Sequence, residues 1–157
     1  MGLIYILYQQ DLDKRLSFYI ASNIKRVFEI DVRLSYISPI NIKNFKGLTP
    51  FPEMIKLVLI GNLDSDGALC SDNEESQQLN KDIVAVDISG LSEPDFALFA
   101  ENTAKKVNHS LGHAFGLRHC DSERCVMSSI ESFNKFNSIS ASFCYECTQH
   151  LKNTLGL

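Results

Sequence analysis

Apolar residues recur along this chain with two different periods, and the alternation between them lays out a fold. Residues 2–8 (Gly-Leu-Ile-Tyr-Ile-Leu-Tyr) are almost wholly apolar, as expected of a strand covered on both faces. From Asp11 to Glu29 the apolar positions Leu12, Leu16, Tyr19, Ile20, Ile24, Val27 and Phe28 return every three or four residues. Asp11 and Asp13 stand at the start, where the helix dipole favours acids. Ile30 to Ile37 alternates Val32, Leu34 and Tyr36 with Arg33 and Ser35, a second strand. Strand, helix, strand predicts a crossover joining a parallel pair. Met54–Gly61 and Ile83–Ile88 supply a third and a fourth strand, and Asp95 to Phe115 a long helix whose Phe96, Phe99, Ala100, Ala104 and Val107 form the buried side.

The segments between these elements read as connections. Ser38–Pro52 carries Pro39, Gly47, Pro50 and Pro52, and Asn62–Asp82 is rich in Asp, Ser, Asn and Gly. Residues 128–142, with abundant Ser and Asn, predict little regular structure, and 145–156 predict a closing helix. The expected fold class is α/β: a twisted mixed sheet of four or five strands with two main helices and a small C-terminal subdomain. At 157 residues one domain is expected, with residues 1–116 as its sheet-and-helix subdomain and 117–157 as the small one.

Chemistry concentrates in residues 109–147. Three of the four histidines and four of the five cysteines fall there. His109 and His113 are one helical turn apart, so their imidazoles leave the same face and can grip one ion. Gly116 can take the left-handed conformation that closes a helix, which lets the chain turn back and bring in His119. Three neutral imidazoles leave the fourth tetrahedral position of a zinc ion open, as in catalytic sites. Cys120-x4-Cys125 followed by Cys144-x2-Cys147 has the spacing of a four-thiolate zinc knuckle, a closed and therefore structural site. Two zinc ions per chain are expected.

The run H-x-x-x-H-x-x-G-x-x-H-C-x-x-x-x-C-x-M, followed after residues 128–143 by C-x-x-C, closely resembles the archaemetzincins, small zinc proteases of the metzincin group. The resemblance is specific over residues 105–147 and general upstream. It implies a zincin-like fold, a catalytic zinc on His109, His113 and His119, and a structural zinc on Cys120, Cys125, Cys144 and Cys147. Met127 would lie in the turn beneath the metal as an apolar floor. It also implies an antiparallel rim strand that pairs with an extended peptide substrate, for which Gly67–Cys70 is the candidate, and a specificity pocket around Ser128–Phe133. Metzincins carry a glutamate general base directly after the first histidine; here that position is Ser110, whose hydroxyl is no base near neutral pH. The expectation is a zinc-loaded peptidase site with weak or no activity, or a non-catalytic pseudoprotease that binds peptides or a partner protein.

A net charge of −4 gives no electrostatic reason to expect nucleic acid or an anionic membrane as partner. No run approaches the length of a membrane span, and the apolar start lacks the basic residues and cleavage site of a signal. An odd number of cysteines, four at metal spacing, points to a reducing cytoplasm, and a monomer is expected. Cys70 reads as a small residue without a bonding partner, and His150 as a surface residue near the knuckle.

Overall fold

A computed structural model describes residues 2–38, 40–41, 44–45, 51–63, 78–89, 94–129 and 133–157. In chain order the elements are β1 (Leu3–Gln9), α1 (Lys14–Phe28), β2 (Asp31–Ile37), β3 (Met54–Gly61), β4 (Gln78–Asn80), β5 (Ile83–Asp87), α2 (Phe96–Ala114), α3 (Phe133–Ser138) and α4 (Tyr145–Leu155). Among the described residues the sheet has five strands, in the order β2-β1-β3-β5-β4. β1 runs parallel to β2 and β3, and β3 parallel to β5, while the short β4 is antiparallel to β5.

Side-chain alternation sends the residues of β1, β3 and β5 to two different layers. Ile4, Ile6 and Tyr8 of β1 point into the main core, where they meet Leu16, Ile20, Ile24 and Phe28 of α1 and Ala100, Val107 and Leu111 of α2. Each such buried aliphatic or aromatic side chain contributes about 1.5–3 kcal/mol. The opposite face is thinner. Leu57 and Leu59 of β3, with Ile83 and Ala85 of β5, pack there with Ile40 and Phe45 from the connection after β2. Both faces of the apolar strands are covered, but both long helices lie on one of them.

Helix α1 begins at Asp13, whose carboxylate accepts from the Arg15 N–H (2.9 Å), and ends at Glu29 in the left-handed region with φ 57°. From Asn102 to Gly112 helix α2 is buried nearly all round, its polar Asn102, Lys105 and Asn108 included. The reason is its place between two layers. One side lies on the sheet, and the other meets the C-terminal segment, where Lys105 Nζ donates to the Phe136 carbonyl (3.2 Å) and Asn108 Nδ2 to the Ala141 carbonyl (2.7 Å). Asn108 Nδ2 also donates to Asn23 Oδ1 of α1 (2.7 Å), so one amide ties three regions of the chain. Replacing Asn108→Leu, of similar volume, strands two buried acceptors; a loss of about 2–4 kcal/mol is expected, read as a lower denaturation midpoint at unchanged slope.

Two elements depart from the pattern-based expectation. α3 falls in a stretch expected to be irregular, and β4 in one expected to be loop. Each is short, three to six residues, too brief for a periodic signal. The candidate rim Gly67–Cys70, Cys70 itself and residues 130–132 of the expected specificity pocket lie outside the described residues. No helix among the described residues is long and apolar enough to cross a membrane.

Candidate metal centres

Helix α2 carries His109 and His113 in its last turns, and the way it stops determines where His119 goes. The Leu117 N–H donates back to the Gly112 carbonyl and the Gly116 N–H to the His113 carbonyl (both 2.9 Å), the paired bonds of a Schellman ending. Gly116 supplies the positive φ of 92° that this ending needs. Leu117 is then buried, and the chain reverses so that His119 faces the two helical histidines. The ligand-capable atoms of His109, His113 and His119 all lie within 4.8 Å of one another.

The imidazoles are oriented by backbone carbonyls. His109 Nδ1 is 2.7 Å from the Val126 oxygen and His113 Nδ1 2.9 Å from the Leu117 oxygen. A carbonyl can only accept, so both Nδ1 atoms carry the proton and both Nε2 atoms present lone pairs to the shared space. These Nε2 atoms stand 3.0 Å apart. Two acceptors facing each other repel unless a cation lies between them. Tetrahedral nitrogen ligands of zinc, at about 2.0–2.1 Å from the ion, are about 3.3 Å apart. The donor set therefore fits zinc.

The second group follows at once. Cys120, Cys125, Cys144 and Cys147 place their sulfurs within the same 4.8 Å limit, and none is in a disulfide. Cys120 and Cys144 sulfurs are 3.6 Å apart, against about 3.8 Å expected for two thiolates on one tetrahedral zinc at about 2.3 Å. Backbone N–H groups point at the sulfurs: Met127 and Cys144 at Cys125 (3.4 and 3.3 Å), and Ser122 at Cys120 (3.4 Å). Without an ion, burial pushes the Cys125 and Cys147 thiols up. Burial is also the largest influence on Cys144, yet its net shift is downward, because the Cys147 N–H and the neighbouring sulfurs together outweigh it. A divalent cation must displace those protons, so its retention weakens as pH falls.

Met127 packs with Cys125 and Cys147 and reaches α2. Met127 is fully buried, and Gly112, on α2 between the two helical histidines, leaves it room. A Cβ at Gly112 would run into Met127 Sδ and come within 3.2 Å of the Phe143 ring. Alanine gains about 1 kcal/mol in helix propensity, but overpacking costs about 1–3 kcal/mol. Gly112→Ala is therefore expected to cost up to about 2 kcal/mol net and to lower the melting temperature by up to about 8 °C in a thermal scan. Sequence reasoning passed over Gly112; the available signal was a glycine inside a helix, which needs a packing reason. The Val126 and Leu117 carbonyls had no signal, since main-chain partners are invisible to residue type.

Ser110, in the position expected for the general base, sits on α2 beside His109 and is 7% exposed. An open cleft of about 710 Å³ reaches His119, Cys120 and Cys144 and is bordered by Arg118, Tyr145 and His150. His150 is exposed on α4, as expected.

The profile of the family described as Peptidase family M54 matches residues 74–153. Archaemetzincin of Methanopyrus kandleri is 40% identical over 70 residues, which are 45% of this chain and 40% of that protein. Archaemetzincin of Pyrococcus furiosus is 38% identical over 63 residues, 40% of this chain and 33% of that protein. The matched stretch thus spans well under half the length of these relatives. Among solved structures, archaemetzincin from Methanopyrus kandleri superposes with a TM-score of 0.71 at 19% identity, covering 99% of this chain and 97% of that one. A zinc-dependent peptidase from Methanocorpusculum labreanum gives 0.71 at 17%, covering 94% and 99%. Both share the fold. Because the profile takes in just over half of the chain and all seven grouped side chains, the chain belongs to Peptidase family M54.

Proposed function

We propose that this chain is an archaemetzincin-like zinc metallopeptidase by descent whose peptide hydrolysis is weak or absent as it stands. The observation that carries the reading is the three-histidine group, with Nε2 lone pairs converging and Ser110 in the place of the base. When bound, zinc supplies Lewis acidity toward a peptide carbonyl and toward water. His109, His113 and His119 hold the ion, with His109 and His113 fixed in the required tautomer by Val126 and Leu117. Met127 packs beneath them. Ser110 can hold a water by hydrogen bonding but cannot take its proton, nor pass one to the leaving amine. Cys120, Cys125, Cys144 and Cys147 hold a second, structural zinc that stiffens residues 117–157 as a knuckle beside the sheet-and-helix subdomain of residues 1–116.

Ser110 also favours a second reading, a non-catalytic zinc protein that holds an extended peptide or a partner protein in the same cleft. In both readings the ligand is a peptide or a protein, the acting form is a monomer, and nucleic acid has no role. Four cysteines at metal spacing and outside disulfides support a reducing cytoplasm as the setting. The test is metal content by mass spectrometry of the native protein, with two zinc ions per chain expected, followed by cleavage of an unstructured peptide. Turnover within the ordinary range for enzymes, about 1–10³ s⁻¹, would refute the impaired state.

A further inference from the structure

The third histidine ligand differs from the first two in the element that carries it. His109 and His113 ride on α2 with their Nδ1 atoms against carbonyls, and His119 stands beyond the helix end, on the turn after Gly116. The next residue is Cys120, whose sulfur belongs to the second group and whose N–H donates to the Met127 carbonyl (2.9 Å). The same adjacency recurs on the other side. Cys125 is followed by Val126, whose carbonyl orients His109, and by Met127, whose N–H points at the Cys125 sulfur. Val126 is in turn held by its N–H to the Ser142 carbonyl (3.0 Å), two residues before Cys144. Three neighbours of the histidine centre therefore hang from the cysteine cluster: the third ligand, the orienting partner of the first, and Met127, which lies against Gly112 between the two helical histidines.

We infer that the cysteine cluster is the positioning device of the histidine centre, so that emptying the former loosens metal at the latter. Cys120 and Cys125 are the positioning residues, acting through His119 and through Val126 and Met127. An ion on the cysteines would tie the loop from Cys120 to Cys125 to the start of α4; without it, the apolar anchors of residues 118–128 are Val126 and Met127. The helical pair alone offers two ligands, and a two-ligand site holds zinc far less tightly than a three-ligand one. Coupling between two sites acts equally in both directions, so metal at the histidines should also favour metal at the cysteines. The inference rests on the proposed pair of zinc sites and not on hydrolysis.

The test is zinc affinity at the histidine centre, read from the imidazole NMR signals of His109, His113 and His119 while zinc is added to metal-free protein. Two perturbations empty the cysteine cluster in the full chain. One is the double variant Cys144→Ser/Cys147→Ser. The other leaves the sequence unchanged: the thiols, reached through the open cleft beside Cys120 and Cys144, are capped with a methanethiosulfonate reagent and later freed by reduction. Amide signals of Ile4 and Val58 report the sheet throughout. Expected is a loss of affinity at the histidines of about 5- to 150-fold in both arms, with recovery on reduction in the second. A histidine-site Kd within about twofold of the untreated protein, after either perturbation and with the sheet signals intact, overturns the inference. Recovery failing after complete thiol release does so too.

Discussion

Replacing Ser110→Glu is expected to raise peptide hydrolysis by about 10²–10⁴-fold, the usual worth of a positioned general acid–base. In barrier terms this is about 3–5 kcal/mol. The carboxylate would stand directly after His109 on the same helix, at a position only 7% exposed, so it would act on a proton in a partly dehydrated space. Serine offers a hydroxyl there, able to orient water and unable to accept its proton near neutral pH. The discriminating control is Ser110→Gln, which brings similar bulk and hydrogen bonding without basicity. Initial rates on one unstructured peptide, at equal zinc content, decide the matter. If Gln accelerates as much as Glu, or if the unaltered chain already matches the Glu form, the missing base is not what limits the site.

Metal removal is expected to have the largest effect on stability. The third apolar cluster contains Leu117, Val126, Met127 and Phe143 together with the four cysteines themselves. Half of its members are thus sulfur ligands, and the remainder is too small to order a segment unaided. A structural zinc in a small knuckle supplies about 10–16 kcal/mol of apparent binding energy, comparable to the whole stability of an average domain. Stripping the metal should accelerate amide exchange in residues 117–129 and 139–147 by about a thousandfold or more, which is about 4 kcal/mol of local stability. Residues of β1 and β3 should stay protected, since Ile4, Ile6, Val58 and Ile60 are fully buried in a core that does not involve the ligands. Unchanged exchange in the C-terminal segment would show that the cysteines order it without an ion.

The fold was readable wherever a segment was long and its period clean. Residues 2–8 and Met54–Gly61 are apolar because both faces of the sheet are covered, and α1 shows its three-to-four spacing because one side lies on β1 while the other meets solvent. The metal groups were readable because ligand chemistry is carried by residue type and spacing, as with His109, His113 and His119. What escaped was set by tertiary contact. Lys105 and Asn108 look like part of a solvent-facing stripe of α2, yet they are buried where the C-terminal segment meets the helix. Among the described residues a strand antiparallel to β5 is Gln78–Asn80, whose three residues leave no periodic trace.

One consequence of the order of elements concerns biosynthesis. The parallel strands β1, β2, β3 and β5 are complete by Asp87, whereas every side chain of both metal groups lies between His109 and Cys147. A ribosome therefore delivers all the material for the sheet before it delivers any ligand, and the last two thiols only some twenty residues after the first two. Nascent chains should gain the sheet first and take up zinc afterwards. Scarcity of the ion during translation would leave the earlier half folded and the later half awaiting it, a state open to late rescue.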